Sequence, residues 1–119
     1  MYTATFTFAR KDFDDAFHAL DGVISAIAQS TPGYLGEEAW ENPSNGLISN
    51  VYYWESLEAL SALMNHPAHR EAKRQQGRWL DGYQVVIAEV IGNHGDRGIP
   101  HPLADRPLPM PVGQQHVGA

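Results

Sequence analysis

From Tyr52 to Trp79 the chain reads YYWESLEALSALMNHPAHREAKRQQGRW, a stretch that must end a strand, start a helix, stop it and start it again. Tyr52, Tyr53 and Trp54 are aromatics suited to a pleated, half-buried strand. Ser56 can cap a helix in which Leu57, Leu60, Leu63 and Met64 form the buried side. Pro67 cannot continue that helix but fits the first turn of another, so a second segment is expected from His66 to about Trp79. Any fold must therefore set an aromatic strand beside a broken helix with two histidines, His66 and His69, at the restart.

The flanking sequence supplies the rest. Tyr2, Ala4, Phe6 and Phe8 alternate with Thr3, Thr5 and Thr7, a period of two that predicts a first strand over 2–9. Asp12 offers an N-cap, and Phe13, Ala16, Phe17, Leu20, Val23, Ile24 and Ile27 recur at helical steps until Thr31-Pro32-Gly33. Segments 34–41 and 47–55 flank Asn42-Pro43-Ser44-Asn45-Gly46 and read as a hairpin. Gly82 leads into a β-branched run, 83–90, the fourth strand.

The order β-α-β-β-α-β predicts an α+β, ferredoxin-like domain over residues 1–93: a four-stranded antiparallel sheet with its helices on one face. The other face is expected to carry residues such as Tyr, Val and Ile, and to be covered by a second copy in a symmetric dimer, a dimeric α+β barrel. After Gly92 five of the eight prolines lie between Pro100 and Pro111, so 94–119 is expected to be a Pro-rich arm. Its Ile99, Leu103, Leu108, Met110 and Val112 suit packing on the neighbouring subunit or over a pocket mouth, with disorder as the alternative.

Composition narrows the function classes. No cysteine is present, which removes disulfides, thiolate nucleophiles and Cys-ligated metals. A net charge of -6 opposes a phosphate backbone, so no nucleic-acid partner is expected. No apolar run approaches the roughly 20 residues needed to cross a bilayer, and the opening segment lacks a secretory pattern, so a cytoplasmic location is expected.

The element order, Tyr53-Trp54-Glu55-Ser56, His66-Pro67-Ala68-His69, Gly77-Arg78-Trp79 and the closing Ile87-Ala88-Glu89-Val90 together resemble the antibiotic biosynthesis monooxygenase superfamily. The resemblance covers about residues 2–93. It implies two chemistries. Members that oxidise phenols to quinones use no metal or flavin; they carry an Asn and a Trp on the third strand and an Arg on the second helix, positions matched by Asn50, Trp54 and Arg74. Asn50 and Trp54, four apart on a strand, point to one side. A helix tyrosine that some members add falls near Leu60. Heme-degrading members rely on a helix Trp, an iron-ligating His and a first-strand Asn, where this chain has Leu63, Lys73 and Thr5 or Thr7.

The candidate site follows. His69 and His66 are the groups able to exchange protons near neutral pH, as general bases, against the alternative that His66 caps the restart and His69 sits on its flank. Two histidines without a nearby third ligand predict no metal site. Trp54 and Trp79 can wall a pocket or fill a core; Tyr52 and Tyr53 point to opposite faces, so one lines the pocket and the other meets the dimer partner. Arg70, Lys73, Arg74 and Arg78 form a solvated stripe or attract an anion, with Arg74 singled out by the resemblance. The expected activity is cofactor-independent oxygenation of a small phenolic or quinol-type aromatic compound, with heme binding or degradation and non-catalytic binding of a small molecule as the alternatives.

Overall fold

The computed structural model describes residues 1–11 and 13–111. Its elements are β1 (Tyr2–Arg10), α1 (Asp15–Ser30), β2 (Tyr34–Glu41), β3 (Ile48–Trp54), α2 (Leu57–Met64), α3 (Pro67–Gln75), a 3-10 turn (Gln76–Arg78) and β4 (Leu80–Glu89). The sheet has the order β2-β3-β1-β4 and is antiparallel throughout, the ferredoxin-like arrangement. No helix among the described residues is long and apolar enough to cross a membrane.

Local chemistry sets the boundaries. The cap of α1 is Asp14, whose Oδ1 accepts from Phe17 N at 2.8 Å; Asp12, the expected cap, lies outside the described residues. Asp14 also fastens the far end of the sheet, because Oδ1 accepts from Trp79 Nε1 at 3.0 Å and Oδ2 pairs with Arg78 at 3.2 Å. β4 begins at Leu80, three residues before the expected start, and runs through Gly82, whose φ of 115° lies in the left-handed region that glycine tolerates. The ladder to β1 shifts register between Phe8 and Arg10, which lets Leu80 pair with Arg10.

Trp54 is wholly buried and centres a core with Ala28, Ala59, Leu60 and Leu63. Each buried leucine contributes about 1.5–3 kcal/mol. Leu57 and Met64, expected on the buried side of α2, are 46% and 38% exposed. Ala59 takes the inner place because α2 presses against Gly33, where an added Cβ would stand 2.6 Å from Ala59 Cβ.

Strand alternation decides what each face carries. Ala4, Phe6, Phe8, Asn50, Tyr52, Trp54, Tyr83, Val85 and Ile87 share the helix side by register, and Phe6 lies 5.7 Å from Tyr83 between ring centroids. The outer face is made of Thr3, Thr5, Thr7, Ser49, Val51, Tyr53, Val86 and Ala88, so the expected Tyr, Val and Ile covering is only partly present there. Most of the large β4 residues stay on the inner side.

The arm lies on this outer face of its own chain, and none of its described residues lines the cavity described below. This differs from a placement on a neighbour or over the pocket mouth. Val112 lies outside the described residues. Asn93 causes the difference: its backbone pairs with Leu108, and its amide Nδ2 donates to the carbonyls of Leu103 at 2.8 Å and Arg106 at 2.9 Å, closing the arm into a loop. Leu103 is 3% exposed, and the His101 ring meets Tyr53 edge-on at 5.3 Å, so Tyr53 is covered from within the chain. Gly36 makes room, since a Cβ there would stand 2.7 Å from Pro102 Cβ and its φ is 141°. Gly36→Ala is expected to destabilise the protein by about 1–3 kcal/mol and to release the arm to proteolysis. An unchanged melting temperature and an unchanged cleavage pattern would remove this account of the arm.

Candidate functional site

Between the inner sheet face and the helices lies a cavity of about 630 Å³. Phe17, Leu20 and Ile24 of α1, Leu60, Leu63 and Met64 of α2, and Phe6, Phe8, Val85 and Ile87 of the sheet form its apolar wall. Tyr83, Val85 and Ile87 remain 46%, 44% and 44% exposed, so the helices do not reach β4 and the cavity opens along that strand. Into this wall converge Asn50, Tyr52, Trp54, His69, Lys73, Gln76 and Asp21. A largely apolar hollow with a few polar groups is the usual form of a small-molecule site.

The two histidines part company. Nδ1 of His66 accepts from Ala68 N at 3.1 Å and caps α3; its ring does not line the cavity. His69, one helical turn on, does. Burial disfavours its imidazolium and the Lys73 charge adds to this, while contact with the Met64 backbone opposes, so its pKa lies below 6.5. His69 is therefore a free base at neutral pH.

Trp54 and Trp79 also differ. Both line the cavity, but the Trp79 N–H is committed to Asp14, and its ring packs edge-on against Phe17 at 5.4 Å. The Trp54 N–H is fully buried and has no hydrogen-bond partner among the described residues, an arrangement that costs about 1–3 kcal/mol. Tyr34 closes over the Trp54 ring edge-on at 5.7 Å. Asn50 stands on the same side of β3, two residues before Tyr52.

Tyr52 is the phenol of the cavity. Burial, then Glu37 and then Asp21 push its pKa up to about 12, so it stays protonated and can donate a hydrogen bond. Leu60, where a tyrosine is the alternative suggested by the resemblance, is buried and apolar. Tyr53 faces outward, where its hydroxyl donates to Glu38 Oε1 at 2.6 Å.

Arg74 is not brought to the cavity. It is 74% exposed and pairs with Glu71 on its own helix. Lys73 takes the inner place, and the sequence held the signal: at about 100° per residue, a residue four after His69 shares its face and one five after does not. Asp21 was missed because it interrupts an apolar stripe and reads as a solvent-side residue. Burial raises its pKa first, Glu37 adds to this, and His18 opposes. Among the described residues no group of three or more His, Cys, Asp or Glu could hold a metal ion.

The sheet order, the broken second helix and a cavity on the helix side define a fold of the antibiotic biosynthesis monooxygenase type. A solved structure titled antibiotic biosynthesis monooxygenase superposes with a TM-score of 0.61, 13% identity, and coverage of 76% of this chain and 99% of its own. SnoaB of Streptomyces nogalater, a cofactor-independent oxygenase, gives 0.61 and 11% identity over 75% of this chain and 91% of its own. Rv0793 of Mycobacterium tuberculosis gives 0.65 and 17% over 79% and 98%. In sequence the chain is 29% identical over 91 residues to the uncharacterized Bacillus subtilis protein YqjZ, covering 75% of this chain and 78% of that protein. No protein-family model matches the chain.

Proposed function

We propose that this protein is a cofactor-independent monooxygenase that oxidises a small phenolic or quinol-type compound with molecular oxygen. The observation that carries the reading is the convergence of His69, whose pKa burial lowers, with Asn50, Tyr52 and Lys73 on one apolar cavity. SnoaB, of the same fold, is a cofactor-independent oxygenase, which supports it.

In this scheme His69 takes the phenolic proton. The electron-rich phenolate passes an electron to oxygen. One oxygen atom bonds to a ring carbon that still carries hydrogen and becomes a new quinone carbonyl as that C–H bond breaks, and the other leaves as water with the two hydrogens the substrate loses, so no external reductant is consumed. Asn50 and Trp54 hold the substrate oxygens, the latter once Tyr34 and the ring shift enough to uncover the N–H. Tyr52 donates a hydrogen bond, and Lys73, in place of Arg74, stabilises developing negative charge.

Oxygen uptake with a panel of naphthols and dihydroxynaphthalenes that keep hydrogen on the ring carbon to be oxygenated tests the reading. Expected is protein-dependent uptake, one oxygen per quinone formed, with no added metal or flavin. Saturable binding without uptake would make the protein a carrier. A saturable Soret shift on hemin titration, bleached by a reductant in air, would instead make it a heme enzyme, with Leu63 and Lys73 where heme-degrading proteins of this fold type were expected to carry Trp and His.

The same reading includes a homodimer packed through the outer sheet faces, supported by Val86 and Trp40, which are 52% and 62% exposed beside small Thr, Ser and Ala side chains. Sedimentation should give twice the chain mass, and Val86→Asp should give the monomer mass. A monomeric parent protein would remove the dimer.

A further inference from the structure

Of the close ring pairs among the described residues, Tyr34–Trp54 is the one that joins two side chains able to give up an electron; each of the others includes a Phe or a His. The two rings meet edge-on at 5.7 Å between centroids, which is van der Waals contact. Trp54 lines the cavity and is wholly buried, whereas Tyr34 is half-buried and its hydroxyl donates to Oε1 of the exposed Glu37 at 2.8 Å. The pair therefore runs from the cavity wall to a solvated carboxylate. Trp79 and Tyr83, also in the wall, meet Phe17 and Phe6 instead, rings that do not pass an electron on.

An indole that loses one electron becomes a radical cation, which ordinarily sheds its charge by giving up the N–H proton. Trp54 has no acceptor for that proton among the described residues, so the charge would stay in an apolar core, where it is costly. Passing the electron vacancy to Tyr34 removes that cost. Burial, and then the hydrogen bond to Glu37, hold the Tyr34 pKa well above neutral, so its electron leaves only as the proton crosses to Glu37. The product is a neutral phenoxyl radical beside a neutral carboxyl group, and no charge remains buried.

We propose that Trp54 and Tyr34 form an electron relay, with Glu37 as its proton acceptor, that carries oxidising equivalents out of the cavity to a small thiol in solution. The relay is defined by the ring pair and its acceptor; its use in turnover rests on the phenol-oxidation reading. In that reading superoxide that escapes the cavity leaves a phenoxyl radical behind, to which a second oxygen adds as a peroxyl radical. The peroxyl radical takes one electron from Trp54 and one proton from water and becomes a hydroperoxide. Tyr34 returns the electron to Trp54 as its proton goes to Glu37; the thiol then gives Tyr34 a hydrogen atom, and Glu37 releases its proton to water. The sum is one hydrogen atom moved from the thiol to the peroxyl radical, with a thiyl radical left in solution.

Ultraviolet flash photolysis of the full chain, without oxygen or substrate, tests the relay, because the flash ionises indoles wherever they lie. In the parent, part of the indolyl absorption is expected to decay as tyrosine phenoxyl absorption rises, at a rate independent of protein concentration. Tyr34→Phe, which keeps the ring, and Trp54→Phe should both lose this delayed rise and retain the indolyl signals of Trp40 and Trp79. Glu37→Gln, which accepts a hydrogen bond but not a proton, should slow the rise by about tenfold or more. Free cysteine added to the parent should shorten the phenoxyl lifetime in proportion to its concentration. No delayed rise in the parent, or its survival in Tyr34→Phe, would overturn the relay and leave phenol oxidation untouched. A phenoxyl lifetime indifferent to cysteine would overturn the exit to a thiol. A delayed rise in a protein that turns over no phenol would remove the phenol reading and leave the relay standing.

Discussion

Trp54→Phe is expected to leave folding stability within about 1 kcal/mol of the parent while lowering kcat/KM for any oxidised phenol by tenfold or more. Two stability effects oppose each other. The ring is completely buried among Ala28, Leu60 and Leu63, so a smaller side chain leaves a void and loses contact. The same substitution removes a buried N–H with no partner, which returns about 1–3 kcal/mol. Nothing offsets the loss on the catalytic side. A donor to a developing phenolate oxygen is worth about 1.5–3 kcal/mol, or roughly 10- to 100-fold. Denaturant titration and steady-state kinetics on the same preparation give both numbers. Parental turnover would show that the indole N–H does not touch the substrate.

His69→Ala is expected to lower turnover by about 10²- to 10⁴-fold, the range for loss of a general base. Its pH dependence identifies it. Because burial and Lys73 hold the pKa below 6.5, parental activity should rise through an acid limb placed below that value and stay flat above it. The variant should lose the limb, whereas His66→Ala, which removes only the cap of α3, should lower the melting temperature and keep it. The sign for folding runs the same way. The folded chain binds this proton less readily than the unfolded one, so the contribution is present above pH 6.5 and is lost as pH falls toward the lowered value. His69→Gln should flatten that slope. An acid limb that persists unchanged in His69→Ala would assign it to another group.

Much of the fold was legible because it rests on local rules. The Thr-rich alternation of β1, the apolar stripe of α1, the Asn-Gly turn and the Pro67 restart each name their element without tertiary help. Asn50 and Trp54 share a wall because a strand alternates sides, whatever packs on it. The errors fell where several elements compete for one space. Asp14 could be known as a clasp only once Trp79 and Arg78 were brought to it across the fold. Gly82 reads as a strand boundary, yet β4 begins before it and the ladder to β1 resumes at Leu80 after a register shift.

The order of elements, the broken helix and the same-side pairing of Asn50 with Trp54 follow from backbone sterics and periodicity within a few residues, and so are written in the chain itself. Packing across the fold settles that Lys73 and not Arg74 lines the cavity, that His66 is a cap while His69 is a half-buried base, that Trp54, unlike Trp79, has no partner for its N–H among the described residues, and that the arm folds back over Gly36. Each of those depends on which groups from distant segments exclude water from one another, and that is settled by packing rather than by neighbours in the chain.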